Sequence, residues 1–289
     1  MRIAVTGGSG KLGRAVVDDL LAHDHEVVNL DRVPSPDPRA AFTRIDIADF
    51  GQVAGALSAV DDRYDRLDAV VHLAAIPGPG MAPDAAIFAN NVLSTYNVFQ
   101  AARMAGIKNV VWASSETVLG LPFDEPPPYV PVDEEVPVRP ATAYSLGKTL
   151  DEAMARQFCR WDPEAKAIGL RFSNVMEVAD YAAFPAFDDD PLLRKWNLWS
   201  YIDARDGAQA VRLALELETT GMDVFIIASP DTVMRRPDTE LLDEVFPGVP
   251  RKRELEANET LLSIEKARRV LGYAPRHSWR DEVGHRARG

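Results

Sequence analysis

The segment Arg2–Gly13, RIAVTGGSGKLG, constrains the fold more than any other part of the sequence. A short apolar run enters a turn in which Gly7, Gly10 and Gly13 recur at every third residue, and an amphipathic segment follows at once. A strand, a glycine turn and a helix in this order place a pyrophosphate on the unpaired N–H groups of a helix N-terminus. Gly7 permits backbone angles that a side chain forbids, and Gly13 lets the helix lie close to the strand. The segment therefore predicts a dinucleotide-binding turn.

The end of the second predicted strand, Glu26–Leu30, indicates which dinucleotide binds. Asp31 follows that strand, 18 residues after Gly13. An acidic residue there accepts hydrogen bonds from the ribose diol of an adenosine and repels a 2′-phosphate, so NAD is favoured over NADP. Arg32 would favour NADP if its guanidinium bound the 2′-phosphate. The alternative is that its side chain is solvated.

Apolar and amphipathic segments alternate along the chain as far as residue 172. Such alternation predicts an α/β fold with a doubly wound parallel sheet and right-handed crossovers. Residues 1–172 are expected to form the nucleotide-binding domain, and 173–289 to contribute a small substrate-binding lobe and the last elements of the larger domain. Asp49 is expected to cap a helix that runs to about Val60. The remaining predicted strands are Ala41–Ile45, Leu67–Leu73, Asn109–Ala113, Ala165–Phe172 and Asp223–Ala228, and the longest predicted helices are Pro83–Ala105 and Ala143–Arg160.

Composition limits the classes of partner. The 289 residues carry a net charge of −12, from 44 acidic and 32 basic residues, which argues against nucleic acid as a ligand. No apolar run approaches the ~20 residues that span a bilayer, and the sequence starts with a strand rather than a charged-then-apolar leader. The single cysteine, Cys159, provides neither a disulfide framework nor a thiolate metal cluster and suits a reducing compartment. We expect a cytoplasmic protein without a metal, a membrane or a nucleic acid as its partner.

Tyr144 and Lys148 form the clearest catalytic pattern. They lie four residues apart at the start of a predicted helix, so both side chains project from one face. A lysine ammonium near a tyrosine hydroxyl lowers a reference pKa of ~10 towards working pH, and such a tyrosine takes a proton from a substrate hydroxyl while a nicotinamide takes a hydride. Ser115 follows the predicted strand Asn109–Ala113, at the edge where ligands bind in open α/β sheets. Taken alone, the pair also fits an interfacial tyrosine and a solvated lysine.

Further motifs occur in one order along the chain: TGGSGKLG, Asp31, Asp46-Ile47, HLAA (72–75), SSETVLG (114–120), EEVPVRPATAYSLGK (134–148), LRFSN (170–174) and IEKARRVLGYAP (264–275). Together they resemble the extended short-chain dehydrogenase/reductases, the NAD-dependent epimerase/dehydratase group, over nearly the whole chain. The resemblance implies a Rossmann-type domain with a small C-terminal lobe, bound NAD, and a Ser–Tyr–Lys catalytic set at Ser115, Tyr144 and Lys148. The tyrosine motif departs from the common YGxSK by carrying Ser145 and Gly147, and VLG stands where VYG is frequent.

The motif positions also give the expected contacts. His72 is tempting as a base, but the family often has a histidine there that packs structurally. The expected substrate contacts are Ser115, Glu116, Tyr144, Ser173, Asn174 and Arg194. The expected cofactor contacts are Gly7, Gly10, Lys11, Leu12, Gly13, Asp31, Arg32, Asp46, Ile47, Leu73, Ala74, Ala75, Asn91, Tyr144, Lys148 and Phe172.

The segment between Asn174 and Tyr201 bears on the substrate. It is about 26 residues long, whereas nucleotide-sugar enzymes of the resembling family usually have a longer insert there that grips the nucleotide diphosphate. This brevity resembles uronate dehydrogenases, which oxidise the C1 hydroxyl of a free sugar to a lactone and make NADH. Arg194 suits a substrate carboxylate through its bidentate geometry, or it balances the acidic run Asp188–Asp190. The aromatic residues of the segment either stack on a sugar ring or pack the lobe.

Three hypotheses follow. The leading one is an NAD-dependent sugar dehydrogenase of the uronate dehydrogenase kind, and the alternative is a nucleotide-sugar 4-epimerase that retains its NAD. The third is an NAD-binding sensor without turnover, against which the complete Ser–Tyr–Lys set argues. The resemblance also implies a homodimer that pairs the predicted helices Pro83–Ala105 and Ala143–Arg160.

Overall fold

The computed structural model of the chain describes residues 1–35, 38–58, 64 and 66–286. The predicted α/β class is confirmed by a seven-stranded parallel sheet. The strands and α-helices are β1 (Arg2–Thr6), α1 (Lys11–Ala22), β2 (Glu26–Asp31), β3 (Ala41–Arg44), α2 (Phe50–Leu57), β4 (Ala69–His72), α3 (Asp84–Met104), β5 (Asn109–Ser115), α4 (Ala143–Trp161), β6 (Lys166–Phe172), β7 (Val175–Met176), β8 (Ile202–Asp203), α5 (Ala204–Glu216), β9 (Gly221–Ile227), α6 (Asp238–Val245), α7 (Glu265–Leu271) and α8 (Trp279–Arg286). The short strands β7 and β8 pair with each other outside the large sheet.

The order of the strands is β3-β2-β1-β4-β5-β6-β9, the doubly wound arrangement of a Rossmann-type fold. The chain order reverses at β1, which pairs with β2 on one side and with β4 on the other. Since all seven strands are parallel, their carboxyl ends meet at one edge of the sheet, and ligands bind where the order reverses. The fold therefore places the turn after β1 beside the ends of β4, β5 and β6.

Alternate residues of the central strands enter two apolar layers, which explains why β1 and β4 are almost entirely apolar. Ile3 and Val5 of β1 pack with α1 and α5 on one face of the sheet. Ala4, between them, packs on the other face with residues of α2, α3 and α4. Cys159 of α4 lies in this second layer, where burial raises the pKa of its thiol and leaves it an apolar packing group.

The boundaries of several elements differ from the predictions. β5 continues to Ser115 instead of ending at Ala113, because Ser114 and Ser115 remain paired with β6. The predicted fourth strand, Leu67–Leu73, is longer than β4, which pairs with β1 only as far as His72. Asp49 caps α2 as predicted, since its side chain accepts a hydrogen bond from the backbone N–H of Gln52. The predicted end of that helix, Val60, lies outside the described residues.

Most aromatic residues after Asn174 pack within the C-terminal part of the chain. Tyr181 and Phe184 are fully buried and contact the ring of Tyr201, and Phe184 also meets Trp279. The structure thus favours packing over sugar stacking for these residues. In the described ranges, no helix is long and apolar enough to cross a bilayer.

Candidate active site

A cleft of about 710 Å³ lies at the carboxyl edge of the sheet, and it brings together most of the predicted site residues. Asp46, Asn91 and Arg194 are the predicted residues that do not line it. The predicted residues that do line it are Gly7, Gly10, Lys11, Leu12, Gly13, Asp31, Arg32, Ile47, Leu73, Ala74, Ala75, Ser115, Glu116, Tyr144, Lys148, Phe172, Ser173 and Asn174.

The glycine turn has no room for side chains. Gly7 has a φ of +71°, and a Cβ there would lie 2.7 Å from the backbone nitrogen of Ala74. A Cβ on Gly13 would lie 2.1 Å from the carbonyl oxygen of Gly7, so the first turn of α1 fits tightly against β1. Gly10 begins α1 and offers no side chain to cap it, which leaves its first N–H groups for a ligand. This cradle fits the pyrophosphate of NAD.

Asp31 is held rigidly at the end of β2. Its carboxylate accepts hydrogen bonds from the backbone N–H groups of Ser9 at 3.0 Å, Arg32 at 2.6 Å and Val33 at 3.3 Å. Arg32 turns its guanidinium to Asp46 at 2.8 Å, and this hydrogen bond lowers the pKa of the Asp46 carboxyl. The guanidinium that would serve a 2′-phosphate is thus paired with a carboxylate, while Asp31 remains for a ribose diol.

Asn91 stabilises one of the loops that line the cleft. Its buried side-chain amide accepts a hydrogen bond from the backbone N–H of Ile76 at 2.8 Å and donates one to the carbonyl oxygen of the same residue at 3.0 Å. Ile76 lies in the loop after β4 that, with Leu73, Ala74 and Ala75, forms one side of the cleft. Asn91 therefore fixes this loop, which is a different contribution from the direct cofactor contact expected of it.

Ser115, Tyr144 and Lys148 all line the cleft. Ser115 ends β5, and Tyr144 lies in the first turn of α4. The Lys148 ammonium donates a hydrogen bond to the carbonyl oxygen of Ala113 at 2.7 Å and lies 6.0 Å from the centre of the Tyr144 ring. This bond ties α4 to the strand that carries Ser115.

The two departures in the tyrosine motif have structural reasons. Ser145 closes a capping box with Thr142, because each side chain bonds the backbone N–H of the other residue, at 2.9 and 3.1 Å. Gly147 faces α3, where a Cβ would lie 3.4 Å from a methyl group of Val92. Both residues thus serve the start and the packing of α4 and leave Tyr144 and Lys148 in place.

A buried acid lies beneath the lysine. Asp151 has a carboxyl oxygen 3.6 Å from the Lys148 ammonium, and neither of its oxygens has a hydrogen-bond partner. Burial raises its pKa to about 6, although Lys148 opposes that effect. His72 lies nearby between Thr6 and Thr95, and burial lowers its pKa to about 3, so it is a neutral packing residue at physiological pH.

A second buried acid joins three elements under the cleft. Glu152 of α4 accepts two hydrogen bonds from Arg171 of β6, both at 2.9 Å, and one from Ser114 of β5 at 2.7 Å. All three residues are nearly fully buried. The arrangement fixes α4 against the two strands whose ends carry Ser115 and Ser173.

Glu116 forms the inner wall at the substrate end. It lines the cleft with only 2% of its surface exposed. Its Oε1 accepts a hydrogen bond from the Asn197 amide at 3.2 Å, while Oε2 has no partner. Burial raises its pKa to about 7, against the opposing influence of Ser173, Asn197 and Arg194.

Arg194 is buried behind this wall, outside the cleft. Its guanidinium lies between the rings of Phe187 and Trp196, at 5.3 and 5.2 Å from their centres. One nitrogen donates to the carbonyl oxygen of Ser200 at 2.9 Å. The structure therefore does not bring Arg194 to the substrate side as expected, because its planar cation packs between two rings of its own lobe.

Two ion pairs connect α1 to the segment after β7 beside the cleft. Lys11 reaches Asp180 at 2.6 Å, and Arg14 reaches Glu177 at 2.6 Å. All four side chains are about one-third to two-fifths exposed. The pairs link the nucleotide-binding turn to the C-terminal part.

Several residues of the cleft were missed by the sequence reasoning. Residues 76–79 and Trp196 line the cleft, although the sequence predicts no contact for the former and leaves the aromatic residues open between sugar stacking and packing. Asp151 and Asn197 carried no signal, because a single acid or amide in an amphipathic segment is ordinarily solvated. Glu152, which follows Asp151, was not predicted either, although its i+4 spacing from Lys148 places it on the same face of α4.

Comparison with known proteins places this geometry in a family. Residues 3–185 match the NAD dependent epimerase/dehydratase family. The chain is 27% identical to UDP-glucose 4-epimerase of Lactobacillus helveticus over 333 aligned positions, covering 98% of this chain and 94% of the relative. Two other curated 4-epimerases align over only 53% and 55% of their own length.

Solved structures agree in fold. A short-chain dehydrogenase/reductase superfamily protein from Agrobacterium tumefaciens with bound NAD superposes with a TM-score of 0.75 at 22% identity, covering 100% of this chain and 96% of the other. A mutated uronate dehydrogenase superposes with a TM-score of 0.66 at 23% identity, covering 98% and 86%. Because residues 3–185 match the family and the glycine cradle and Asp31 fit its cofactor, the chain belongs to the NAD dependent epimerase/dehydratase family.

Proposed function

We propose that this protein oxidises a hydroxyl group of a sugar with NAD, and that Tyr144 removes the hydroxyl proton. The observation that carries the proposal is the convergence of Ser115, Tyr144 and Lys148 in the cleft that begins at the glycine turn. Among the described residues, no three His, Cys, Asp or Glu side chains lie together so that they could hold a metal ion.

Each of the three residues has a distinct role in the proposal. Ser115 orients the substrate oxygen, and Tyr144 accepts its proton as a general base. The Lys148 ammonium stabilises the phenolate and binds the ribose of the cofactor, held in place by Ala113. The chemistry that NAD supplies when bound is acceptance of a hydride from the carbon that bears the hydroxyl.

The curated relatives favour an epimerase as the net activity. In this version the oxidised sugar stays bound, is reduced again from its other face, and leaves as the C4 epimer, so no NADH accumulates. The names of the relatives support this version better than the dehydrogenase that the sequence reasoning preferred.

A net dehydrogenase is the second candidate, favoured by the size of the chain. The alignment with the L. helveticus enzyme has 333 positions, more than the 289 residues of this chain, so the relative has inserted residues that this chain lacks. A shorter lobe suits a free sugar, which has no nucleotide to be gripped. The product is then a lactone or ketone, and NADH leaves in every cycle.

One experiment separates the candidates. Purified protein is incubated with NAD and either free aldoses and uronic acids or UDP-sugars, while NADH absorbance and sugar composition are followed. Exchange between UDP-glucose and UDP-galactose without NADH identifies an epimerase, and NADH accumulation identifies a dehydrogenase. Tyr144→Phe abolishes either activity. If no sugar reacts although NAD and a sugar bind, and Tyr144→Phe retains that binding response, the protein is a sensor.

We also propose a homodimer formed through α3 and α4. These helices pack against each other, and both expose large apolar side chains: Leu93, Tyr96 and Met104 on α3, and Leu146, Leu150 and Trp161 on α4. Light scattering tests this directly. The wild-type protein is expected at twice the monomer mass of 31.8 kDa and Leu150→Glu at the monomer mass, whereas a monomeric wild type overturns the proposal.

A further inference from the structure

The substrate end of the cleft holds buried polar atoms without partners. Glu116 and Ser173 line the cleft, and each has only 2% of its surface exposed. Oε2 of Glu116 and Oγ of Ser173 have no hydrogen-bond partner of ordinary geometry, although the Ser173 hydroxyl is close enough to lower the pKa of Glu116. An unpaired buried polar atom is costly, and such atoms in a native structure call for an explanation. Two of them in one wall of the cleft point to a ligand that supplies the missing hydrogen bonds.

The charge of this wall limits what the ligand can be. Arg194, whose charge lowers the pKa of Glu116, does not line the cleft and has its guanidinium over two aromatic rings. The other cations that line the described cleft are occupied: Lys11 pairs with Asp180, Arg32 with Asp46, and Lys148 with Ala113 and Asp151. The wall therefore presents a carboxyl group and hydroxyl or amide groups to the ligand, with no free cation beside them.

We propose that the wall formed by Glu116 and Ser173 binds the hydroxyl groups of an uncharged sugar ring, and that Glu116 excludes uronate rings. This inference rests on the proposed function and names its substrate class: an aldose, free or as the glycosyl group of a UDP-sugar. A ring hydroxyl donates to Oε2 of Glu116, and Ser173 donates to a ring oxygen. The pKa of Glu116 is raised to about 7, so above that pH a ring carboxylate in the same place meets a second carboxylate in a buried site, where like charges repel.

The test compares matched sugars that differ only at C6. Glucose is paired with glucuronate, galactose with galacturonate, and UDP-glucose with UDP-glucuronate. With whichever pair reacts, wild-type kcat/KM at about pH 9, where Glu116 is ionised, is expected to be at least about tenfold higher for the neutral member, because like charges in a buried site repel. Glu116→Gln keeps the shape of the side chain and removes its charge. We expect this variant to reduce the preference at least about tenfold, mainly by improving the uronate.

Two control variants separate charge from hydrogen bonding. Ser173→Ala removes a hydroxyl without changing the charge, so it weakens the neutral sugar and leaves the uronate excluded. Arg194→Met removes the cation behind the wall. If Arg194 instead bound a substrate carboxylate, this variant would lose the uronate selectively, and that result would overturn the inference. Thermal unfolding of each variant verifies that it is folded.

The outcomes also separate this inference from the proposed function. Turnover of a uronate as fast as its neutral partner, or an unchanged preference in Glu116→Gln, overturns the inference and leaves the sugar oxidoreductase intact. If no pair reacts, calorimetry with the NAD-loaded protein measures binding of the same sugars. Binding of the neutral members alone supports the inference without the reaction, and binding of no sugar overturns both.

Discussion

Glu116 and Glu152 are both buried glutamates, and each lies next to one of the two adjacent serines at the end of β5. Glu152 has a bidentate arginine and the Ser114 hydroxyl as donors, so both of its oxygens are satisfied. Glu116 has one amide donor and one free oxygen, and its arginine lies too far for an ion pair. The two glutamates are similarly buried but differ in their hydrogen-bond partners. This difference indicates that Glu152 stabilises the fold, whereas Glu116 has an oxygen available to bind a ligand.

The largest expected effect comes from removing the arginine that pairs with Glu152. Arg171→Met leaves Glu152 buried without its cation, and removal of one partner of a buried pair costs about 3–5 kcal/mol. Urea unfolding should show this loss in the free energy of unfolding. Combining Arg171→Met with Glu152→Gln should recover part of it, because the uncompensated charge is gone. A loss below about 1 kcal/mol for the single variant would contradict the distinction.

Removing the serine hydroxyl beside each glutamate should change the free energy of unfolding by a smaller amount and allows a direct comparison. Ser114→Ala deletes a hydrogen bond to an ionised carboxylate and should cost about 1.5–3 kcal/mol. Ser173→Ala deletes a hydroxyl without a partner, so its loss should stay within about 0.5 kcal/mol. Both are measured by the same urea titration. Equal losses would mean that Ser173 has a partner in solution.

The pH dependence of stability tests Glu116 itself. Its pKa is raised from 4.5 to about 7 in the folded protein. Between these values the unfolded chain has lost this proton and the folded protein retains it, so this group makes stability fall as pH rises from about 4.5 to 7. Glu116→Gln should remove about 1–3 kcal/mol of that decline. Asp151 contributes a decline of the same sign at lower pH, and the difference between wild type and variant cancels it.

The smallest effect is expected at the exposed ion pairs beside the cleft. Lys11→Met breaks the pair with Asp180, but exposed pairs contribute only about 0–1 kcal/mol and weaken with salt. Its free energy of unfolding should differ from wild type by less than about 0.5 kcal/mol at 0.5 M NaCl. A large loss that persists in salt would mean that this pair acts like the Glu152–Arg171 pair.

The cofactor end of the cleft was predictable from the sequence, whereas the substrate end was predictable only in part. Gly7, Gly13 and Asp31 were readable because backbone sterics and a single carboxylate determine their roles locally. Arg194 was misplaced, because whether a cation faces a cleft or packs between Phe187 and Trp196 depends on the tertiary path of an irregular segment. The groups that lower the pKa of Glu116 include Ser173 and Asn197, and no spacing rule connects these positions in the sequence.

The Lys11–Asp180 and Arg14–Glu177 pairs have a kinetic consequence. They join the first turn of α1 to residues 177–180 beside the cleft, and each contributes little free energy, so thermal motion breaks them without unfolding either element. Weak ion pairs beside the cofactor cleft suit an enzyme that exchanges its cofactor in every cycle. An enzyme that retains NAD over many turnovers needs stronger closure, so the dissociation rate of NAD and its dependence on ionic strength report which kind of catalytic cycle this protein follows.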